Sequence, residues 1–428
     1  MTSAPERPQT WQVCIACGHE MVETDPHPRC TRCGGLLEVD HRPLGPSRVD
    51  LLRRFTDRRG GGASSSGVWR FKEIVLPSAT ELISHPEGNT PLLHRAALDR
   101  WTGLERLLLK HEGHNPTGSF KDRGMTVGVT QAKRIGATAV ACASTGNTSA
   151  SLAAYAAQAG LPALVLVPAG NVALGKLAQS LAYGAKTLLV RGDFDDCLRL
   201  VEQAGEQLGV YLLNSINPFR IEGQKTIVLE ALEQLSWTPP DWIVLPAGNL
   251  GNTAAFGKAL VEARTWGLID RLPRLAAVQA EGAAPFAQSF REGFARRHRV
   301  KAETVATAIR IGDPASYDRA VKAIRETNGV VLAVSDTEIL EAKAAVDATG
   351  VGCEPASAAS VAGVRRLVAA GTIGSTESVV AVLTGHVLKD PGALLAYHQE
   401  AEPPPPGANR PVEIDPSLDA VARILGSR

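Results

Sequence analysis

The sequence predicts an α/β fold: two parallel-sheet α/β lobes with the active site between them, plus a small N-terminal zinc-ribbon-like unit. Three observations predict it. Short, wholly apolar runs recur at 139–143, 163–167, 187–190, 242–245, 330–334 and 378–383, the pattern of parallel strands covered on both faces. Amphipathic helical stretches separate these runs over about 300 residues, too many for one open sheet. Cys14, Cys17, Cys30 and Cys33 form two Cys-x-x-Cys-Gly knuckles, a spacing that suits one tetrahedral Zn²⁺ ion.

Residues 1–45 are read as the zinc-ribbon-like extension. A unit of this size has too little core to fold alone, so bound metal would supply the missing stability. Reversible disulfides, or a site that has lost its metal, are the plain alternatives. No basic stripe with aromatics accompanies the knuckles, which points to a scaffold role and away from nucleic acid. Cys142, Cys197 and Cys353 stand singly in apolar surroundings and read as core thiols.

Residues 46–90 read as a connector. Its stretch 58–67, Arg-Arg-Gly-Gly-Gly-Ala-Ser-Ser-Ser-Gly, lacks apolar side chains and predicts a mobile loop. Residues 91–220 are taken as the N-terminal catalytic lobe and 221–400 as the C-terminal one. Phe194, Leu198, Val201 and Leu208 share one helical face, as do Tyr317, Ala320, Val321 and Ile324. Ser335 and Glu338 have the spacing of a capping box. Residues 401–428 form a Pro-rich tail, with a short helix expected at 418–425.

Composition narrows the function classes. The 428 residues are 44% hydrophobic and 21% charged, with a net charge of +1. No global field therefore favours nucleic acid or an anionic membrane, and an anionic ligand needs a local site. No run reaches the ~18 apolar residues of a membrane helix. The polar start, residues 1–10, lacks the layout of a signal peptide. A cytoplasmic location is expected.

The most informative stretch is Asn115-Pro-Thr-Gly-Ser-Phe-Lys121-Asp-Arg-Gly124. Taken alone, it is a turn leading into a helix. A lysine at that junction meets the positive potential of free backbone N–H groups, which depresses its pKa and leaves a nucleophilic amine. A solvated lysine at a helix start is the bland alternative. Gly248-Asn-Leu-Gly-Asn252 follows the run 242–245 and precedes a helical pattern at 253–263. Such a Gly-rich turn points several N–H groups at one spot and suits a phosphate. Gly170-Asn-Val-Ala-Leu-Gly-Lys176 nearly matches a nucleotide-binding P-loop, but Leu177 stands where a Mg²⁺-binding Ser or Thr belongs.

The lysine stretch resembles the cofactor motif of the threonine synthases, within the tryptophan-synthase-β-like, fold-type II class of pyridoxal-phosphate enzymes. Further segments resemble that family in the same order: Glu87-Gly-Asn-Thr-Pro-Leu92, Ala143-Ser-Thr-Gly-Asn-Thr148, Asn214-Ser-Ile-Asn-Pro-Phe-Arg220-Ile-Glu-Gly-Gln-Lys225, Pro246-Ala-Gly-Asn-Leu-Gly-Asn252, Cys353-Glu-Pro-Ala-Ser-Ala358 and Leu383-Thr-Gly-His386.

The resemblance implies that Lys121 binds pyridoxal 5'-phosphate as a Schiff base. It implies that Gly248, Asn249, Leu250, Gly251 and Asn252 hold the cofactor phosphate. Asn147 then meets the ring hydroxyl and Thr384 the ring nitrogen. A neutral partner at that nitrogen makes the ring a milder electron sink. Ser144, Thr145 and Thr148 would receive the substrate carboxylate. Asn214, Ser215 and Arg220 would bind the substrate phosphate. The implied reaction turns O-phospho-L-homoserine and water into L-threonine and phosphate, in a cytoplasmic homodimer. Competing readings are a cysteate-synthase-like enzyme on O-phosphoserine, a threonine or serine dehydratase, and a non-catalytic ribbon protein on the same scaffold.

Overall fold

In the computed structural model, which describes residues 9–42, 47–170, 174–405 and 407–426, the chain opens as a three-stranded antiparallel sheet. β1 (Thr10–Cys14), β2 (Glu20–Val22) and β3 (Leu37–His41) pair in the order β2-β1-β3. Gly18 and Gly34 follow the two cysteine pairs at φ of 68° and 71°, left-handed backbone that glycine adopts without steric cost. The ribbon is tied to the rest of the molecule. Val39 belongs to the main hydrophobic core, and His41 meets Glu222 at 2.8 Å with both side chains buried.

Two lobes then interleave along the chain. β4 (Leu92–His94) and β5 (Leu107–His111) begin a first sheet. The chain leaves it to build a second from β6 (Ala139–Ala143), β7 (Ala163–Pro168), β8 (Lys186–Val190) and β9 (Val210–Leu212), all parallel and ordered β8-β7-β6-β9. It returns through β10 (Trp242–Pro246), β11 (Arg274–Ala280), β12 (Val330–Val334) and β13 (Val379–Leu383). The larger sheet runs β12-β11-β10-β13-β5-β4, parallel except for β4. Two parallel-sheet lobes are thus present, as the apolar runs predict. The grouping of 91–220 differs from the strand pairing, because residues 92–111 sit in the larger sheet. β5 is buried at every position and lies beside β13, where both of its faces are covered.

Three local expectations need correction. β8 and β12 are not covered on both faces: both are edge strands, Leu188 and Leu189 are exposed, and Val330, Leu332 and Ala333 are half-buried. On the helix Phe194–Leu208, Val201 turns inward but Leu208 is exposed in the last turn. The connector is the largest surprise. Val68, Trp69, Phe71, Ile74, Val75 and Leu76 are wholly buried in the main core, each large side chain adding roughly 1.5–3 kcal/mol. Trp69 donates to the Thr126 hydroxyl at 2.7 Å. The Gly/Ser stretch forms short 3-10 turns whose end, Ser66 and Gly67, is itself buried.

The capping box at Ser335 and Glu338 closes in both directions. The tail helix spans Leu418–Gly426. Residues 1–8, the expected boundary at 45, and part of the P-loop-like stretch lie outside the described residues. Among the described residues, no helix is long and apolar enough to cross a membrane.

Candidate active site

Lys121 opens the helix Lys121–Arg134, whose N-terminus has no side-chain cap. The loop before it is locked from both sides. Asp122 accepts from the Thr117 backbone N–H at 2.7 Å and from its hydroxyl at 2.6 Å. On the other side, Phe120 N donates to Thr384 O at 3.0 Å, and His386 N donates to Gly118 O at 2.9 Å. This zipper fixes the lysine against the C-terminal end of β13, where strand ends of parallel sheets present ligand sites. Burial depresses the Lys121 pKa to about 7, with the charge of Arg220 pushing the same way and Glu354 opposing it.

Arg220 reaches the same place through a close helix crossing. The helix Pro218–Gln234 packs on Lys121–Arg134 at Gly124, Gly128 and Gly223. A Cβ at Gly223 would lie 1.8 Å from Arg123 O, and one at Gly124 would lie 3.1 Å from Arg220 O. Only glycine lets the two backbones approach this far. Asn217 caps the second helix by accepting from the N–H groups of Phe219 and Arg220. Arg220 is 1% exposed, and its Nη1 donates to Leu213 O at 3.0 Å. Its Nε and Nη2 are buried with no hydrogen-bond partner. Burial lowers its pKa to about 10. An unpaired buried guanidinium is costly unless an anion meets it.

The 248–252 turn supplies a second set of donors. Leu250 adopts φ 63°, and the helix Gly251–Thr265 starts with no side-chain cap. Its first N–H groups are therefore open to an anion. Asn252 Oδ1 and Thr253 Oγ1 are buried without hydrogen-bond partners. A Cβ at Gly248 would lie 2.9 Å from Ile309 Cα. The Asn249 side chain faces elsewhere: it donates to Ser215 Oγ at 3.0 Å and accepts from Ala315 N at 3.0 Å.

Ser144, Thr145, Asn147 and Thr148 lie half-buried around another uncapped start, that of the helix Asn147–Ala159. Asn214 braces this turn. Its amide accepts from Ala143 N at 3.0 Å and donates to Ala143 O at 3.2 Å, which leaves one N–H for a ligand. Thr384 is buried, and its hydroxyl meets Ser357 at 3.0 Å and Glu354 at 3.2 Å. Glu354 also accepts from Asn147 at 3.0 Å. Hydrogen bonds thus join the smaller lobe's Asn147 to Glu354 and, through it, to Thr384 of the larger lobe, Ser215 to Asn249, and Asn214 to Ala143 just before the Ser144–Thr148 turn.

Comparison with known proteins places this geometry. The pyridoxal-phosphate dependent enzyme family matches residues 83–385. The threonine synthase of Methanosarcina acetivorans is 47% identical over 414 residues, covering 96% of this chain and 98% of that protein. The one from Methanocaldococcus jannaschii is 44% identical, covering 97% and 99%. The chain belongs to the threonine synthase family of pyridoxal-phosphate dependent enzymes. The crystal structure of Escherichia coli threonine synthase matches the fold with a TM-score of 0.67 at 19% identity, covering 97% of this chain and 99% of that one.

The chemistry of the donor set fits the family's cofactor. A depressed amine, two uncapped helix starts and a buried guanidinium with free N–H groups suit an aldehyde that carries a phosphate. Three residues escaped the sequence reading. Glu354 and Asp122 lay inside quoted motifs, but only the fold reveals which side chains they meet. Gln224 lies between Gly124 and Gly251, where its Oε1 is buried and unpartnered. The N-terminal cysteines of this threonine synthase family member also converge. The four Sγ atoms lie within 4.8 Å of one another, and all four thiols are free.

Proposed function

We propose that this chain converts O-phospho-L-homoserine and water into L-threonine and phosphate, the last step of threonine biosynthesis. The observation that carries this reading is Arg220, a buried guanidinium with two unpaired nitrogens beside a lysine of depressed pKa. A dehydratase acting on an uncharged side chain has no use for it.

Lys121, the N–H groups of 248–252, Asn147 and Thr384 would hold pyridoxal 5'-phosphate. When bound, the cofactor supplies an electron sink that acidifies the hydrogen on the substrate Cα. The chain's own groups do the rest. The Ser144–Thr148 turn, with Thr145, orients the substrate carboxylate through N–H and hydroxyl donors. Lys121, whose burial disfavours the ammonium form, takes the Cα proton and then a Cβ proton as the Cγ–O bond to phosphate breaks, and protons return at Cγ, which becomes the methyl group, and at Cα. Arg220 and the Ser215 hydroxyl stabilise charge on the leaving phosphate, with Asn214 holding the turn that presents them. Water adds at Cβ, where threonine carries its hydroxyl.

Cys14, Cys17, Cys30 and Cys33 would bind one structural Zn²⁺. The spread of their sulfurs suits tetrahedral coordination after small adjustments. A cytoplasmic homodimer completes the reading, and light scattering with metal analysis tests the assembly and the zinc.

Phosphate release tests the chemistry. O-phosphohomoserine should yield phosphate and threonine. Faster release from O-phosphoserine would favour a cysteate-synthase-like activity, and 2-oxo acid from threonine or serine a dehydratase. Purified protein should absorb visible light, and Lys121→Ala should lose that band.

A further inference from the structure

The ribbon touches the catalytic lobes at one functional place, the turn 214–220. Ile216, in the middle of that turn, packs in the smaller lobe's core with Leu36 and Ile15 of the ribbon. Its carbonyl accepts from Arg319 Nη2 at 3.4 Å, and the same nitrogen donates to Leu37 O. Arg319 sits on the helix Tyr317–Glu326 and is 3% exposed. It therefore reaches both the ribbon and the turn from the larger lobe. Just past the turn, Glu222 is gripped by His41 from β3.

The cysteine cluster sets the position of these ribbon contacts. Leu36 and Leu37 follow Cys33 by three and four residues. Cys30 N donates to Gly35 O at 2.9 Å, and Ile15 N donates to Leu36 O at 3.0 Å. A Cβ at Gly35 would lie 2.9 Å from Cys14 Sγ. The backbone at Gly35 is thus pressed against the sulfurs of Cys14 and Cys33, and Leu36 and Leu37 follow directly. Once ionised, four thiolates so close together repel one another unless a cation holds them.

We propose that the four-cysteine ribbon is a metal-dependent clamp on the substrate-phosphate turn, with Arg319 as the positioning residue that joins them. The inference rests on the function proposed above for Ser215 and Arg220. On this proposal Arg319 acts through the turn and not on the substrate itself. It holds the Ile216 carbonyl, and so fixes the direction of the neighbouring Ser215 hydroxyl and the start of the helix that carries Arg220. The ribbon then sets both affinity for the phosphate-bearing substrate and the aim of the donors that meet its leaving phosphate, while cofactor uptake by Lys121 proceeds without it.

The test uses the full-length holoenzyme, with Arg319→Met and Arg319→Lys, each with and without zinc removal by a chelator. Arg319→Met should lower kcat/KM for O-phosphohomoserine about tenfold, the scale of one lost hydrogen bond from a charged group, and leave cofactor affinity within about twofold. Hydrogen exchange at the amides of Phe219 and Arg220 should accelerate. Zinc removal from the parent enzyme should do the same, and zinc return should reverse it. In Arg319→Met, zinc removal should add little, because both changes break one linkage. Arg319→Lys keeps a donor and should fall between the parent and Met.

Unchanged kcat/KM and exchange in a folded Arg319→Met would overturn the proposal, as would an equally large loss of cofactor affinity. Fully additive effects of chelation and mutation would also overturn it. If Arg319→Met does not fold, Arg319→Lys decides by the same two readouts. The exchange measurement needs no substrate. A parent enzyme that releases no phosphate from O-phosphohomoserine would thus defeat the functional reading, while exchange still judges the clamp.

Discussion

Glu354 of the larger lobe accepts a hydrogen bond from Asn147 of the smaller lobe at 3.0 Å. Its other oxygen meets the Thr384 hydroxyl at 3.2 Å. The carboxyl is buried, which pushes its pKa up, while both donors and two lysines oppose that push. Gly385 leaves room for it, since a Cβ there would lie 2.4 Å from Glu354 Oε1. One acid therefore aims the two side chains proposed to meet opposite parts of the cofactor ring. Glu354→Ala should weaken cofactor binding about tenfold, because both donors lose their partner. Glu354→Gln should stay within about threefold, since its carbonyl can accept from Asn147 and its amide can donate to the Thr384 oxygen. Fluorescence titration of the cofactor-free protein measures both, and an alanine variant that binds as tightly as the parent sinks the idea.

The lysine should show its depressed pKa directly. Cofactor uptake needs the neutral amine, so the uptake rate should rise with pH and level off above about 7. Arg220 disfavours the ammonium form, and Arg220→Met should move that midpoint to higher pH. Stability carries the same signature with a definite sign. The unfolded chain keeps this proton up to roughly 10.4, whereas the folded chain releases it near 7. Between those values the unfolded state binds more protons, so cofactor-free protein gains stability as pH rises. Lys121→Ala should lack that share of the slope. Stopped-flow absorbance and urea melts across pH check the two parts, and identical midpoints with and without Arg220 would count against the pairing.

Arg220 should matter most for the phosphate. Arg220→Met should lower kcat/KM for O-phosphohomoserine by about 10²–10³, in line with removal of an aimed electrostatic donor. Arg220→Lys should recover only part, because an ammonium lacks the planar fork. Steady-state phosphate release gives the numbers. A methionine variant with parental kinetics would place the substrate phosphate elsewhere.

Much of this was legible, and the failures have physical causes. Apolar runs such as 242–245 announced strands because two-sided burial leaves little place for a polar residue. The same logic misread 187–190, since an edge strand can be apolar and still exposed. The buried segment around Trp69 and Phe71 was missed because its 3-10 turns have no long hydrophobic period and its partners, such as Thr126, are remote in sequence. The adjacent Gly/Ser stretch then dominated the reading. Among the proposed site residues, motif membership pointed to Lys121, Asn147, Arg220 and Thr384. It gave no sign that Glu354 would join Asn147 and Thr384, because that contact spans 207 residues of chain.

The missed segment also supplies part of a buried charge cluster behind the site. Glu230 accepts from Arg123, Lys110 and Arg70, and all four side chains are almost fully buried. Arg123 bonds Glu112 as well, at 2.6 Å and 2.8 Å. This cluster holds residues 67–90 against the helix that begins at Lys121, so it should govern folding more than catalysis. Glu230→Ala removes one anion from three cations and should cost about 3–5 kcal/mol, the usual penalty for orphaning buried charge. The three cations hold the Glu230 carboxyl well below the usual range. A depressed carboxylate stabilises the fold above its unfolded pKa, near 4.3, and loses that effect only as pH falls toward its folded value. The parent should therefore still benefit from Glu230 at pH 5, and the deficit of Glu230→Ala should be nearly the same at pH 5 and pH 7. Urea unfolding at both values measures it. At pH 3, below the unfolded pKa, the deficit should shrink, and a deficit as large at pH 3 as at pH 7 would mean that Glu230 titrates alike in the folded and unfolded chain and that the cations do not hold it.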